Sequence, residues 1–302
     1  MTKNAGIEQR ASKTAMFAAV HRYLSLFESN PELSSQDTLA GLFISRLWKF
    51  LLGFAWCRRH VRQNLHNKVP GTYPYVIART KCFDERFVSA LQARVPQIVI
   101  LGAGYDTRAI RYQSQNYGSR VYELDTGLLQ SRKKAIFERN SVAIPDYLTF
   151  CPITFGKDTL ADVLHQAGYD STQKTLFLWE GVTYYLTESA VLKTFAFIEN
   201  SAVSGSELLF DYFYKSFIDG RDDYPGAKEL FSSVRKVGEP FLFGIDQGGL
   251  EEFLSTVGFS VVERYCPQAL EQRYLTSNGE TLGKVYGFAE CVQVRLKQRE
   301  VA

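Results

Sequence analysis

Short apolar runs alternate along this chain with segments whose apolar residues recur at helical spacing. Residues 98–101, 121–125, 148–153, 176–179, 206–213, 259–265 and 284–294 read as seven strands, the first ones apolar enough to be buried on both faces. Helical patterns fall between them at 84–94, 127–140, 158–167, 188–200 and 247–257; Asp158 would cap the third of these and Gly168 would close it. Strand and helix alternation of this kind predicts an α/β fold with a doubly wound, mostly parallel seven-stranded sheet, to which the C-terminal pair of strands adds an antiparallel member. Ahead of the sheet, 12–28 carries Phe17, Val20, Tyr23, Leu24 and Phe27 at helical spacing, with His21 and Arg22 on the polar side. Such a helix packs on the sheet's flank or closes over a pocket. We therefore divide one domain into a helical cap (1–78), a core (79–213), an insertion rich in Gly, Pro, Asp and Lys (214–245), and a C-terminal helix with strands (246–302).

One stretch of the cap is unusual. From Thr38 to Phe83 there is no Asp or Glu, yet Arg46, Lys49, Arg58, Arg59, Arg62, Lys68, Arg79 and Lys81 all occur. Within it, 47–57 (Leu-Trp-Lys-Phe-Leu-Leu-Gly-Phe-Ala-Trp-Cys) is too short to span a bilayer, which needs about 20 apolar residues. It reads as an interfacial helix, as a cap helix lining an apolar pocket, or as a core helix with a solvated basic end. Tyr73-Pro74-Tyr75 then breaks the pattern.

Composition narrows the classes. The 302 residues are 45% hydrophobic and 22% charged, ordinary for a globular domain, and a net charge of +3 is too small to imply a nucleic-acid partner. Cys57, Cys82, Cys151, Cys266 and Cys291 are scattered and odd in number, as expected of reduced structural thiols in a cytoplasmic protein. The first residues lack the apolar core of a signal peptide, and no transmembrane segment is expected. His21, His60, His66 and His165 show no ligand spacing, so no metal site is predicted.

The chemistry gathers at the carboxyl edge of the predicted sheet. Gly102 and Gly104 follow the first strand directly, and glycine admits positive φ and close backbone approach. Asp106 and Thr107 then open a short helix. Asp125 ends the second strand about 20 residues further on, where a ribose finds its carboxylate. Thr107 stands where a dinucleotide-binding loop has its third glycine. That argues for an adenosine without phosphates and against a nicotinamide-dependent oxidoreductase. Arg79 is placed to hold a carboxylate by paired hydrogen bonds, although on spacing alone a surface role is the commoner one for an arginine.

These residues resemble the leucine carboxyl methyltransferase family, class I S-adenosyl-L-methionine-dependent O-methyltransferases, and most of all its bacterial branch. The resemblance rests on Ala78-Arg79-Thr80-Lys81-x-x-Asp84, on 101–108 (Leu-Gly-Ala-Gly-Tyr-Asp-Thr-Arg), on Tyr122-Glu123-Leu124-Asp125, on 179–186 (Trp-Glu-Gly-Val-Thr-Tyr-Tyr-Leu) and on Gly238-Glu239-Pro240-Phe241 with Phe243-Gly244-Ile245. It implies a Rossmann-like class I methyltransferase fold with S-adenosyl-L-methionine as cofactor. Arg79 would hold the methionine carboxylate, Gly102 and Gly104 would receive the cofactor along their backbone, and Asp125 would bind the ribose hydroxyls. Glu180 would stand near the amino group and the methyl, with Glu180 and Tyr184 the catalytic candidates. Thr154 and Phe155 replace the Asp-Leu that contacts adenine in the family, with Asp158 as a stand-in. The acceptor implied is a small molecule or a C-terminal carboxylate. A carboxylate acceptor needs no base, whereas a hydroxyl does, and His21, Glu180, Tyr184, Tyr185 and Asp211 are the candidates. A non-catalytic nucleoside-binding module is the remaining alternative.

Overall fold

The computed structural model describes residues 2–154, 157–221, 223–237 and 240–298. Seven strands form one sheet: β1 (Gln97–Leu101), β2 (Arg120–Asp125), β3 (Leu148–Pro152), β4 (Thr175–Trp179), β5 (Glu207–Phe213), β6 (Phe259–Tyr265) and, last in the chain, β9 (Ala289–Leu296). Their order is β3-β2-β1-β4-β5-β9-β6; β1 to β5 pair in parallel, and β9 inserts antiparallel between β5 and β6. The strand order reverses between β1 and β4, the position at which open α/β sheets leave a crevice for ligands. β7 (Thr276–Ser277) and β8 (Glu280–Thr281) form a separate two-residue ladder. The last strand thus starts at Ala289, five residues later than the apolar pattern from Lys284 indicates.

The helices are α1 (Thr2–Ser25), α2 (Arg46–Leu52), α3 (Ala55–Lys68), α4 (Thr72–Gln92), α5 (Arg108–Arg111), α6 (Gly127–Arg139), α7 (Leu160–Gln166), α8 (Glu188–Ser201), α9 (Lys215–Ile218), α10 (Ala227–Val237), α11 (Leu250–Thr256) and α12 (Pro267–Tyr274). They correct the sequence reading in three places. The helix expected over 84–94 starts at Thr72, so Arg79 and Lys81 lie inside α4 rather than ahead of it. The apolar run 47–57 is split by Gly53 and Phe54 into the end of α2 and the start of α3. Thr159, not Asp158, caps α7, its hydroxyl accepting from the amide of Asp162 at 3.1 Å.

Segment 214–245 leaves the sheet after β5 and returns to it. Tyr214 and Ile245 form a parallel bridge at its base, and Phe217, Phe241, Phe243 and Ile245 are buried. In the cap, α1 packs on α4, on α6 and on the short turn at 40–43.

Candidate functional site

β1 ends in a turn built on two glycines with positive φ, +68° at Gly102 and +51° at Gly104. The amide of Gly104 donates to Asp125 Oδ2 at 2.7 Å, and that of Thr126 to Asp125 Oδ1 at 2.6 Å. The end of β2 is thereby tied to the end of β1. Burial pushes the Asp125 carboxyl above its usual range, and the two amides pull it back. A Cβ on Gly102 would lie 2.7 Å from Val182 Cγ2, so the turn presses against the loop that leaves β4. A Cβ on Gly104 would lie 3.2 Å from that of Ala15, so α1 closes over the turn. This helix does both things its pattern allows, packing on α4 and α6 and closing over the turn.

The loop after β4 carries the second half of the site. Gly181 has φ +71°, and a Cβ there would come within 3.1 Å of both terminal nitrogens of Arg79. The Arg79 guanidinium reaches across from α4. It donates to Glu180 Oε1 (3.0 Å), to the Tyr184 hydroxyl (2.9 Å) and to Asp211 Oδ2 (3.1 Å). Asp211, fully buried at the end of β5, also accepts from the Gly181 amide at 2.6 Å and from the Tyr75 hydroxyl at 2.7 Å. With both oxygens engaged, Asp211 positions the loop and Arg79 and is no free base. Burial works against the charge on Arg79, but Tyr184, Asp211 and Glu180 hold it above its ordinary range.

Glu180 is bracketed by two cations, because Arg108 Nη1 meets its Oε2 at 2.8 Å. Arg108 also binds Asp84 (2.6 Å) and Asp106; Arg111 binds Asp84 through two nitrogens at 2.9 Å, and Arg22 binds Asp37 at 2.8 Å. Asp106 does cap the short α5, accepting from the Arg108 amide at 2.7 Å, whereas Thr107 gives no cap bond. Four arginines (22, 79, 108, 111) thus face five carboxylates (37, 84, 106, 180, 211), a nearly neutral network at the switch point. Sequence reasoning missed most of it. The alternation of Asp84, Asp106 and Arg108 within quoted motifs was the available signal.

Beside Arg79 and Gly181 opens a cavity of about 330 Å³, within the range of small-molecule sites. Tyr75, Tyr184, Phe213, Phe241 and Tyr286 supply aromatic walls, Phe17 and Ala18 of α1 contribute from the cap, and exposed Lys68 stands at the rim. Tyr184 stacks on Phe213 at 3.9 Å, and its carbonyl accepts from the Leu242 amide at 2.7 Å. Burial first, then Asp211 nearby, keeps the Tyr184 proton on its oxygen, well beyond the usual range for a phenol.

The remaining sequence candidates lie elsewhere. Thr154 is exposed; its amide donates to Asp158 Oδ2 at 2.7 Å, and the residue before it is joined to the Asp125 carbonyl through the Ile153 amide at 2.9 Å. Phe155, and Gly238 and Glu239 of the quoted motif, lie outside the described residues. His21 is buried in α1 and does not line the cavity; burial lowers its pKa to about 4. Tyr185 lines the cavity. Residues 47–57 do not, which removes the pocket-lining reading of that run. Among the described residues, no group of three or more His, Cys, Asp or Glu is placed to hold a metal ion.

Residues 15–199, which include both glycine turns, Asp125 and the Arg79–Glu180 pair, match the family model described as leucine carboxyl methyltransferase. The chain belongs to the leucine carboxyl methyltransferase family. A putative S-adenosyl-L-methionine-dependent methyltransferase of Bacillus subtilis is 25% identical over 209 residues, 69% of this chain and 68% of that one. Another from Mycolicibacterium paratuberculosis is 28% identical over 219 residues, 70% and 67% of the two chains. Two solved structures share the fold. A DUF574 family protein from Streptomyces avermitilis has a TM-score of 0.60 at 11% identity, covering 95% of this chain and 99% of that one. A putative methyltransferase from Thermobifida fusca has a TM-score of 0.56 at 18% identity, covering 84% and 94%. This family member is a methyltransferase, and its methyl donor is S-adenosyl-L-methionine. The donor set suits that group: a carboxylate at the end of β2 for a diol, two glycines without side chains, and an arginine paired with a glutamate for a zwitterion.

Proposed function

We propose that this enzyme methylates a carboxylate oxygen of a small, largely apolar acid. The observation that carries the reading is the aromatic cavity that ends on Arg79 and Tyr184 beside the Gly181 turn. When bound, S-adenosyl-L-methionine supplies a methyl already activated by a sulfonium, so alignment matters more than acid–base help and is worth about 7–11 kcal/mol. In this reading Gly102, Gly104 and Asp125 would receive the nucleoside, with Thr154 towards the adenine. Arg79 and Glu180 would hold the carboxylate and the ammonium of the donor's amino-acid end in place of their mutual pair. That exchange leaves the charge balance of the network unchanged. Tyr184, which keeps its proton, donates to the acceptor oxygen and fixes it at the cavity floor.

Three of the candidate bases are unsuited to that role. Asp211 is saturated, Glu180 lies between two guanidiniums, and His21 faces no part of the cavity. A carboxylate is ionised at neutral pH and gives up no proton on methylation. A protein C-terminus is the less favoured acceptor, because the walls offer aromatic rings where a peptide backbone needs partners.

The test is transfer of a labelled methyl to an apolar carboxylic acid panel, followed by mild base. Carboxyl esters release labelled methanol; label that survives the base would replace this reading with hydroxyl methylation. Tyr184→Phe is expected to lower kcat about tenfold or more, by removing one hydrogen bond to the reacting oxygen, while donor affinity stays near wild type. Arg79→Lys is expected to weaken donor binding itself, since an ammonium cannot reproduce the fork that meets Glu180, Tyr184 and Asp211.

A further inference from the structure

Five large apolar side chains stand in water on α2 and the start of α3. Leu47, Phe50 and Trp56 are 67%, 66% and 67% exposed, Trp48 is 52% exposed and Phe54 is 44% exposed. Three of them are clustered, with the Phe50 and Phe54 rings 5.2 Å apart and Phe54 6.3 Å from Trp56. The patch is held in shape from below. Ser45 caps α2 by accepting from the Trp48 amide at 3.3 Å, and Arg58 donates to the carbonyls of Leu52 and Gly53, both at 2.8 Å. Leu52 and Cys57 turn inward onto Leu24. A fixed turn that buries two of its apolar residues and presents five others outward is a built surface, of the kind that marks interaction sites.

Its charge says what it meets. Arg59 lies three residues after Trp56, and Arg46 four residues before Phe50, so exposed cations share the face of the rings. No carboxylate occurs between Thr38 and Phe83. Among the described residues, Arg46 and Arg59 make no ion pair. Rings that sit at the boundary of acyl chains and headgroups, bordered by cations, suit a surface of anionic lipid. A second copy of the chain suits it poorly, because a two-fold contact would set each basic border against itself.

We infer that the α2–α3 turn is the docking face of this enzyme for an anionic lipid bilayer. No helix among the described residues is long and apolar enough to cross a membrane, so the attachment is peripheral and reversible. The same α3 runs on from the patch to Leu65 and Lys68, which line the cavity. The inference stands apart from the choice of acceptor, because its test reads binding and not turnover.

Two of the three tryptophans, Trp48 and Trp56, belong to the patch, and the third, Trp179, is buried in β4. The full-length protein is mixed with vesicles of phosphatidylcholine alone or with phosphatidylglycerol added. The expected result is co-sedimentation with the anionic vesicles only, a blue shift of tryptophan emission, and release as salt is raised. Trp48→Ala with Trp56→Ala should weaken partitioning about tenfold or more, and Arg46→Glu with Arg59→Glu should abolish the preference for anionic lipid. Both variants should bind S-adenosyl-L-methionine as the unchanged protein does, which certifies their fold. Three outcomes would overturn the inference: no binding to anionic vesicles, equal binding to neutral ones, or a dimer in sedimentation that the tryptophan substitutions dissociate.

Discussion

Gly181 sits where Arg79 passes, with its φ in the left-handed region and no room for a side chain between backbone and guanidinium. Gly181→Ala is therefore expected to cost about 1–3 kcal/mol through backbone strain alone. It should also displace Arg79, so titration calorimetry should show weaker donor binding together with a lower Tm. His21 carries a different prediction. Its pKa falls from 6.5 in the unfolded chain to about 4 in the folded one, chiefly by burial and then by the charges of Arg79 and Arg22 against the imidazolium. The stability it contributes is present above pH 6.5 and is lost as pH drops towards 4, because only the unfolded chain takes up the proton. The loss amounts to about 3 kcal/mol. Thermal unfolding of His21→Gln measured across pH 7 to 4 should show a flatter acid limb; an unchanged slope would place the acid sensitivity elsewhere.

At the level of elements, the strands were readable because each is a local apolar run ended by its own punctuation. The two glycines and Asp125 were readable for the same reason, since each lies at a strand end. α4 was not. Tyr73-Pro74-Tyr75 looks like a break, yet Pro74 is the third residue of the helix, where its missing N–H has no intrahelical acceptor to lose. That shift turned Arg79 from a loop residue into one fixed by a buried helix. The arginine–carboxylate network was opaque for another reason: its members are up to 132 positions apart, as for Arg79 and Asp211, and no local pattern announces such pairs. α6 holds a comparable pair. Lys133 meets Glu123 of β2 at 2.6 Å, both 1% exposed, and burial raises the Glu123 carboxyl to about 7 in spite of that cation. Lys133→Met leaves the acid without its partner and should cost about 3–5 kcal/mol in denaturant unfolding, whereas adding Glu123→Leu should recover most of it.

Across the whole molecule, the cap and the sheet meet through α1. Arg22 anchors that helix twice, to Asp37 and to the carbonyl of Tyr105 at 2.7 Å within the first glycine turn. From the same helix, Ala15 covers Gly104 while Phe17 and Ala18 wall the aromatic cavity. One element therefore covers the glycine turn and walls the cavity, and this has a kinetic meaning. A movement of α1 that uncovers one uncovers the other, and we propose that the spent donor and the methylated product leave together. Their release is expected to follow a single rate constant, and loosening the Arg22 anchor with Asp37→Asn should raise that constant for both by the same factor in stopped-flow measurements. An enzyme made this way would turn over at the pace of its doorway rather than of its chemistry.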